Sequence, residues 1–139
     1  MLRIDSALYT IVRCASGLYF VLQGCAQTDV IGRALFSNIN QFFVDHYKVY
    51  VHSIPWWVVG VQPSADAFRQ FNGYTMLLCG LFLVLKQNVK ISSLIMSVMG
   101  AWSVHAHIKA GDPVYTTVCG AIISVLMLLM FLAKKDKTD

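Results

Sequence analysis

Apolar residues fall along the chain in four long runs separated by short polar breaks. The first covers about 7–26, opened by the helix-capping pair Asp5 and Ser6 and interrupted by Arg13, Ser16 and Gln23. The second covers about 66–85; Pro63-Ser64-Ala65-Asp66 supplies a helix-start signal before it, and Lys86-Gln87-Asn88 ends it. A third spans about 91–108 and stops before Gly111-Asp112-Pro113, a break that no helix interior tolerates. The fourth covers about 114–133 and ends at Lys134-Lys135. Each approaches the roughly 20 residues needed to cross a hydrocarbon layer. The pattern predicts an all-α, four-span membrane bundle in a single domain, 1–139. The first run also fits a signal sequence, because Gly24-Cys25-Ala26 resembles a small-residue cleavage site and Leu22-Gln23-Gly24-Cys25 a loose lipobox. We read it as an uncleaved first helix, with Arg13 snorkelling toward its N-terminal side.

The long connection between runs one and two, about 34–52, carries a different period. Phe36, Ile39, Phe43, Tyr47 and Tyr50 recur at steps of three or four with Asn38, Asn40, Asp45 and Lys48 between them. That spacing predicts an amphipathic helix lying on the bilayer or on the bundle. Ile54-Pro55-Trp56-Trp57 follows, and a tryptophan pair there fits an interfacial anchor.

Composition sharpens the class. The chain is 57% hydrophobic and 13% charged, against about 45–50% and about 25% for a soluble domain. A soluble enzyme with a large core of its own is therefore not expected. All seven acidic residues are Asp, so catalysis by paired glutamates is excluded. The net charge of +4 is scattered between apolar runs rather than gathered on a stripe, which argues against nucleic acid. Arg3, Lys86, Lys90, Lys134, Lys135 and Lys137 lie in very short segments on one side of the predicted spans. By the positive-inside rule both termini are cytosolic. Lys135-Asp136-Lys137-Thr138-Asp139 also has the form of a Lys-x-Lys-x-x retrieval signal, which places the protein in the endoplasmic reticulum membrane.

Few residues are arranged for chemistry. Cys14, Cys25, Cys79 and Cys119 lack CxxC spacing, so no zinc site or redox pair is indicated, although a Cys25–Cys119 disulfide is conceivable. His105 and His107 fall on different helix faces and cannot jointly grip a metal. We read His107, Gly111, Asp112 and Pro113 as a structural turn, with Asp112 capping the last helix. Polar residues inside the runs, Gln23, Gln27, Asn72, Ser103 and Ser124 among them, fit interhelical hydrogen bonding. Ser93, Ser97 and Ala101 form a small-residue stripe that serves either as an internal seam or as a docking face. No catalytic residue, cofactor or metal is expected. The expected partners are membrane lipid and another membrane protein, with Tyr47, Tyr50, Trp56, Trp57, Ser93, Ser97 and Ala101 as the proposed contact residues.

Three segments resemble the NACHO-type chaperones of nicotinic acetylcholine receptors, small four-span proteins of the DoxX-like superfamily. Tyr47-Lys48-Val49-Tyr50-Val51-His52-Ser53-Ile54-Pro55 is similar to that family's Tyr-Lys-x-Tyr-Val-x-x-hydrophobic-Pro, and His107-Ile108-Lys109-Ala110-Gly111-Asp112-Pro113 to its His-x-x-x-Gly-Asp-Pro. Arg69-Gln70-Phe71-Asn72-Gly73, followed by Cys79-Gly80, resembles the third motif. The resemblance implies a non-catalytic chaperone or assembly factor for nicotinic-type receptor subunits. Two positions depart from the family: Met76 stands where members carry an acid, and Gln27 where they carry a lysine. Joint loss is what replacement of a buried ion pair requires, since a lone remaining charge would be uncompensated. The rival expectations are a permanent accessory subunit of a larger membrane complex and a quinone-linked redox protein like other DoxX-like members.

Overall fold

The computed structural model describes residues 5–133; Lys135 and Lys137 of the proposed retrieval signal lie outside the described residues. Within them the chain is all-helical, with no strand: α1 (Ser6–Gln27), α2 (Asp29–Leu35), α3 (Ser37–Tyr50), α4 (Ala65–Val84), α5 (Val89–Ala110) and α6 (Val114–Leu132), plus 3₁₀ turns at Val51–Ser53 and Trp56–Val58. By length and composition, α5 and α6 can each cross a membrane.

Local chemistry sets the ends. Asp5 caps α1 by accepting from the backbone N–H of Ala7 at 2.9 Å and of Leu8 at 3.2 Å, and Ser64 caps α4 by accepting from that of Ala67 at 3.1 Å. Gly111 ends α5 at φ 69°, a left-handed conformation that favours glycine, and Pro113 then starts α6. The expected cap by Asp112 is not made, because its carboxylate is taken by Tyr50 and His107. The predicted amphipathic segment is α3 with the 3₁₀ turn after it, and the short α2 precedes it. Thr28 adopts an extended conformation after α1, and Phe36 then separates the short α2 from α3.

The four long helices pack as two antiparallel pairs. α1 and α4 meet along a glycine seam in which Gly17 and Gly24 face Gly80 and Gly73. A Cβ on Gly24 would lie 2.5 Å from the Leu77 backbone nitrogen, and one on Gly80 2.7 Å from the Gly17 carbonyl oxygen. Only hydrogen fits there, and the reward is extensive backbone-level contact of the small-residue kind. The α5–α6 pair is closed by reciprocal hydrogen bonds, Ser97 Oγ to the Ser124 carbonyl at 3.0 Å and Ser124 Oγ to the Ser97 carbonyl at 2.8 Å.

Two apolar clusters tie the pairs together. Phe20, Cys79, Leu83, Met96, Met127 and Met130 form one, and Tyr47, Tyr50, Val51, Phe68 and Ala106 the other. Arg13 does not snorkel into an aqueous boundary. It is buried, and its Nη1 donates to the Leu83 and Val84 carbonyls in the last turn of α4, where a cation complements both the unpaired acceptors and the helix dipole.

Gly24→Val should lower the melting temperature of the detergent-purified protein by an amount equivalent to about 1–3 kcal/mol, since the clash is with backbone that cannot rotate away. Leu22→Val, two residues earlier on the exposed face of α1, should leave it nearly unchanged.

Candidate functional site

The end of α1 is the most heavily bonded point of the structure. Arg69 on α4 is fully buried; its Nη1 donates to the Gln27 carbonyl, and its Nη2 to Asp29 at 2.8 Å and Asp66 at 3.3 Å. Asn40 on α3 donates to the Ala26 carbonyl at 3.0 Å and the Thr28 carbonyl at 3.1 Å. The acceptors orphaned where α1 stops are thus satisfied by side chains from two other helices. Gln27 carries the network inward. Its Oε1 accepts from the Tyr47 hydroxyl at 2.9 Å, and Asn72 donates to that hydroxyl at 3.4 Å. Its Nε2 lies 3.4 Å from Met76 Sδ. Gln27 and Met76, 49 residues apart in sequence, are therefore in contact as a neutral pair.

α3 lies across the helix ends as a roof, and its second anchor is the α5–α6 turn. Tyr50 Oη donates to Asp112 Oδ2 at 2.6 Å, and His107 Nδ1 donates to the same oxygen at 2.6 Å. Burial works to raise the Asp112 carboxyl, but the hydrogen bonds from Tyr50 and His107 outweigh it and hold the group below the usual carboxylate range. Burial pushes Tyr50 well above the ordinary tyrosine value, helped by the bond to Asp112. Burial also pushes Tyr47 up to about 12, so both hydroxyls remain proton donors at neutral pH. His105 turns elsewhere: its Nε2 lies 3.1 Å from the Ser53 carbonyl oxygen, while Trp102 donates to Ser53 Oγ at 2.8 Å.

Beneath this roof lies a cavity of about 240 Å³ between the two helix pairs. Gln27 and Tyr47 border it at the roof, Phe20, Met96 and Met99 deeper in, and Tyr19 and Cys119 at the side between α1 and α6. The cavity draws on five helices, so no single run of sequence announces it. The available signal was Tyr19, Gln23 and Gln27, a four-residue polar spacing that aligns one face of α1, with Gln23 Nε2 donating to Tyr19 Oη at 2.9 Å.

The residues proposed from sequence as partner contacts do not share one surface. Tyr47, Tyr50, Ser93 and Ser97 are buried, Trp56 is half-buried against Phe68, and Trp57 and Ala101 are exposed. Ser97 is therefore part of the α5–α6 seam, the packing alternative for that stripe, and the tyrosines serve the roof. His107, Gly111, Asp112 and Pro113 lie together at the α5–α6 turn. The four cysteines are free thiols, with no disulfide joining Cys25 to Cys119. Among the described residues no group of three or more His, Cys, Asp or Glu is placed to hold a metal. No protein-family model matches the chain, and neither does any curated protein.

Two outcomes test the joints. Arg69→Met should cost about 2 kcal/mol or more of stability by leaving the Gln27 carbonyl without its donor and Asp29 with only the exposed Arg33 as ion partner. Because the Asp112 carboxyl is held below its unfolded value, its contribution is complete above about pH 4 and fades as pH falls through the lowered value. The melting-temperature difference between wild type and Asp112→Asn should accordingly be largest near neutrality and shrink on acidification below about pH 4.

Proposed function

We propose that the chain is a four-span membrane protein of the endoplasmic reticulum, with both termini cytosolic, that assists assembly of nicotinic-type receptor subunits. One observation carries the membrane reading: polarity is inverted in α1, α4 and α5, and α6 also turns apolar side chains outward. Arg13, Gln27, Arg69, Asn72, Ser93 and Ser97 point inward, whereas Leu18, Leu22, Phe71, Leu78, Val98, Val118 and Ile122 are exposed. Contiguous apolar surface on this scale is rare on soluble monomers, and lipid would cover it. The inversion extends to α1 and α4, whose lengths of 22 and 20 residues also suit a span.

The client class comes from the resemblance, and the positions of its motifs support it. Tyr50 of the first motif and His107 of the second converge on Asp112, also of the second, while Arg69, Gly73 and Gly80 of the third hold α1. Each motif thus supplies a joint of this fold, as expected if the scaffold is shared. With Tyr47, Tyr50, Ser93 and Ser97 spent inside, contact with the client is assigned to the outward-facing Trp57 and Ala101. Trp57 is 84% exposed and is followed by the exposed Val58 and Val59.

The test is co-expression with nicotinic-type subunits, scoring surface receptor, co-purification stoichiometry and the melting temperature of the protein together. Trp57→Ala with Ala101→Leu should reduce receptor assembly several-fold at unchanged stability, and Leu35→Ala, also exposed, should not. Equal effects of the two variants, or no co-purification of subunits, would refute the client reading; a fixed equimolar complex would favour a permanent accessory subunit. An absorption spectrum of the purified protein tests the redox alternative. Lys135→Ser with Lys137→Ser should shift the protein toward the cell surface, and a tail protected from protease in intact microsomes would overturn the topology.

A further inference from the structure

The cavity under α3 has the properties of a ligand site rather than of a packing fault. Its volume of about 240 Å³ exceeds the roughly 150 Å³ of an apolar cavity that takes up benzene. It falls short of the roughly 300–1,000 Å³ of sites for drug-sized molecules. Room exists for one hydrocarbon chain or a small ring system, and not for a two-chain phospholipid.

Chemistry narrows the occupant further. No charged side chain lines the space, so a carboxylate, phosphate or ammonium group would be buried there unpaired, at prohibitive cost. Polarity is graded along the cavity. Gln27, Tyr47 and Tyr50 stand at the roof, while Phe20, Met96 and Met99 form the deeper walls. Ser103 Oγ also borders the space and makes no hydrogen bond among the described residues. The methionine walls are unbranched and adapt readily to an irregular hydrocarbon. Access is lateral: Tyr19 is 41% exposed, Tyr115 is 69% exposed, and the helices that carry them make little contact with each other.

We propose that this cavity binds a neutral single-chain amphiphile, such as a long-chain alcohol or a monoglyceride, entering between α1 and α6. Its hydroxyl head lies under the roof near Gln27 and Ser103, and its chain runs down between Met96 and Met99. The source is the surrounding bilayer, and to that extent the inference rests on the membrane reading above.

A long-chain alcohol brominated along its chain serves as the probe, added to the purified full-length protein in detergent, with Trp57→Phe as the common background. Trp102 borders the cavity, so bound bromine should quench its fluorescence saturably. Ser103→Leu, which fills the interior, and Cys119→Phe, which crowds the exposed side opening, should each weaken the effect by about tenfold or more. The matching brominated carboxylate at neutral pH should also bind about tenfold or more weakly. Should Ser103→Leu fail to fold, Cys119→Phe decides alone, because its side chain lies outside the packed interior. Quenching that is non-saturable, that both variants leave unchanged, or that the carboxylate matches would overturn the proposal. Resistance of the protein to alkaline carbonate extraction from membranes is scored separately. A protein that is extracted yet binds the alcohol saturably refutes the membrane reading and leaves the cavity site standing.

Discussion

Everything in this fold turns on how one helix is allowed to stop. α1 ends at Gln27 in the interior, where carbonyl groups without partners would cost about 1–3 kcal/mol each. Arg69 and Asn40 supply those partners, from α4 and α3 respectively. Arg69 is itself a buried cation, so Asp29 must lie beside it, and Asp29 lies there because Thr28 turns the chain out of α1. The turn sends α2 and α3 back over the helix ends. The direction of α3, the roof and the space beneath it all follow from terminating a helix inside the protein and satisfying what it leaves open.

The same logic explains why the two helix pairs are closed by different means. α1 and α4 approach through glycine, with contacts that are steric and unforgiving. α5 and α6 meet through Ser97 and Ser124, each hydroxyl bonding the other residue's carbonyl, which fixes register as well as distance. Between the pairs the contacts are looser and rich in methionine, and there the structure leaves a void. Strong seams within pairs and a soft boundary between them locate the cavity where packing demands are least strict.

The long helices were legible from apolar runs and from punctuation: Asp5, Ser64 and the Gly111-Asp112-Pro113 break mark true ends to within a few residues. So was the period of the segment from Phe36 to Tyr50. What could not be read was pairing. Gly17 and Gly24 show a seven-residue spacing, but nothing local says that Gly80 and Gly73 oppose them. Ser97 looked as suitable for a partner protein as for α6 because a small-residue stripe has the same chemistry in either role. Arg13 carried a charge that suggested a boundary, and only the fold brings the last carbonyls of α4 to it. The end of α1 matches the end of the first apolar run, but the short α2 that follows Thr28 left no mark in the pattern, because it is held by tertiary hydrogen bonds rather than signalled by Gly or Pro. The cavity was invisible for the same reason, being a property of five helices jointly.

The connectivity of the glycine seam has a consequence in time. α5 and α6 are joined by a three-residue turn and can close as soon as both exist. α1 and its partner α4, by contrast, are separated by 37 residues of connecting chain. Until they meet, Gly17 and Gly24 present bare backbone, and Arg13 has no carbonyls to bond. Docking of α4 against α1 closes a much longer loop than the α5–α6 turn does, and it is the slower, long-range step of assembly.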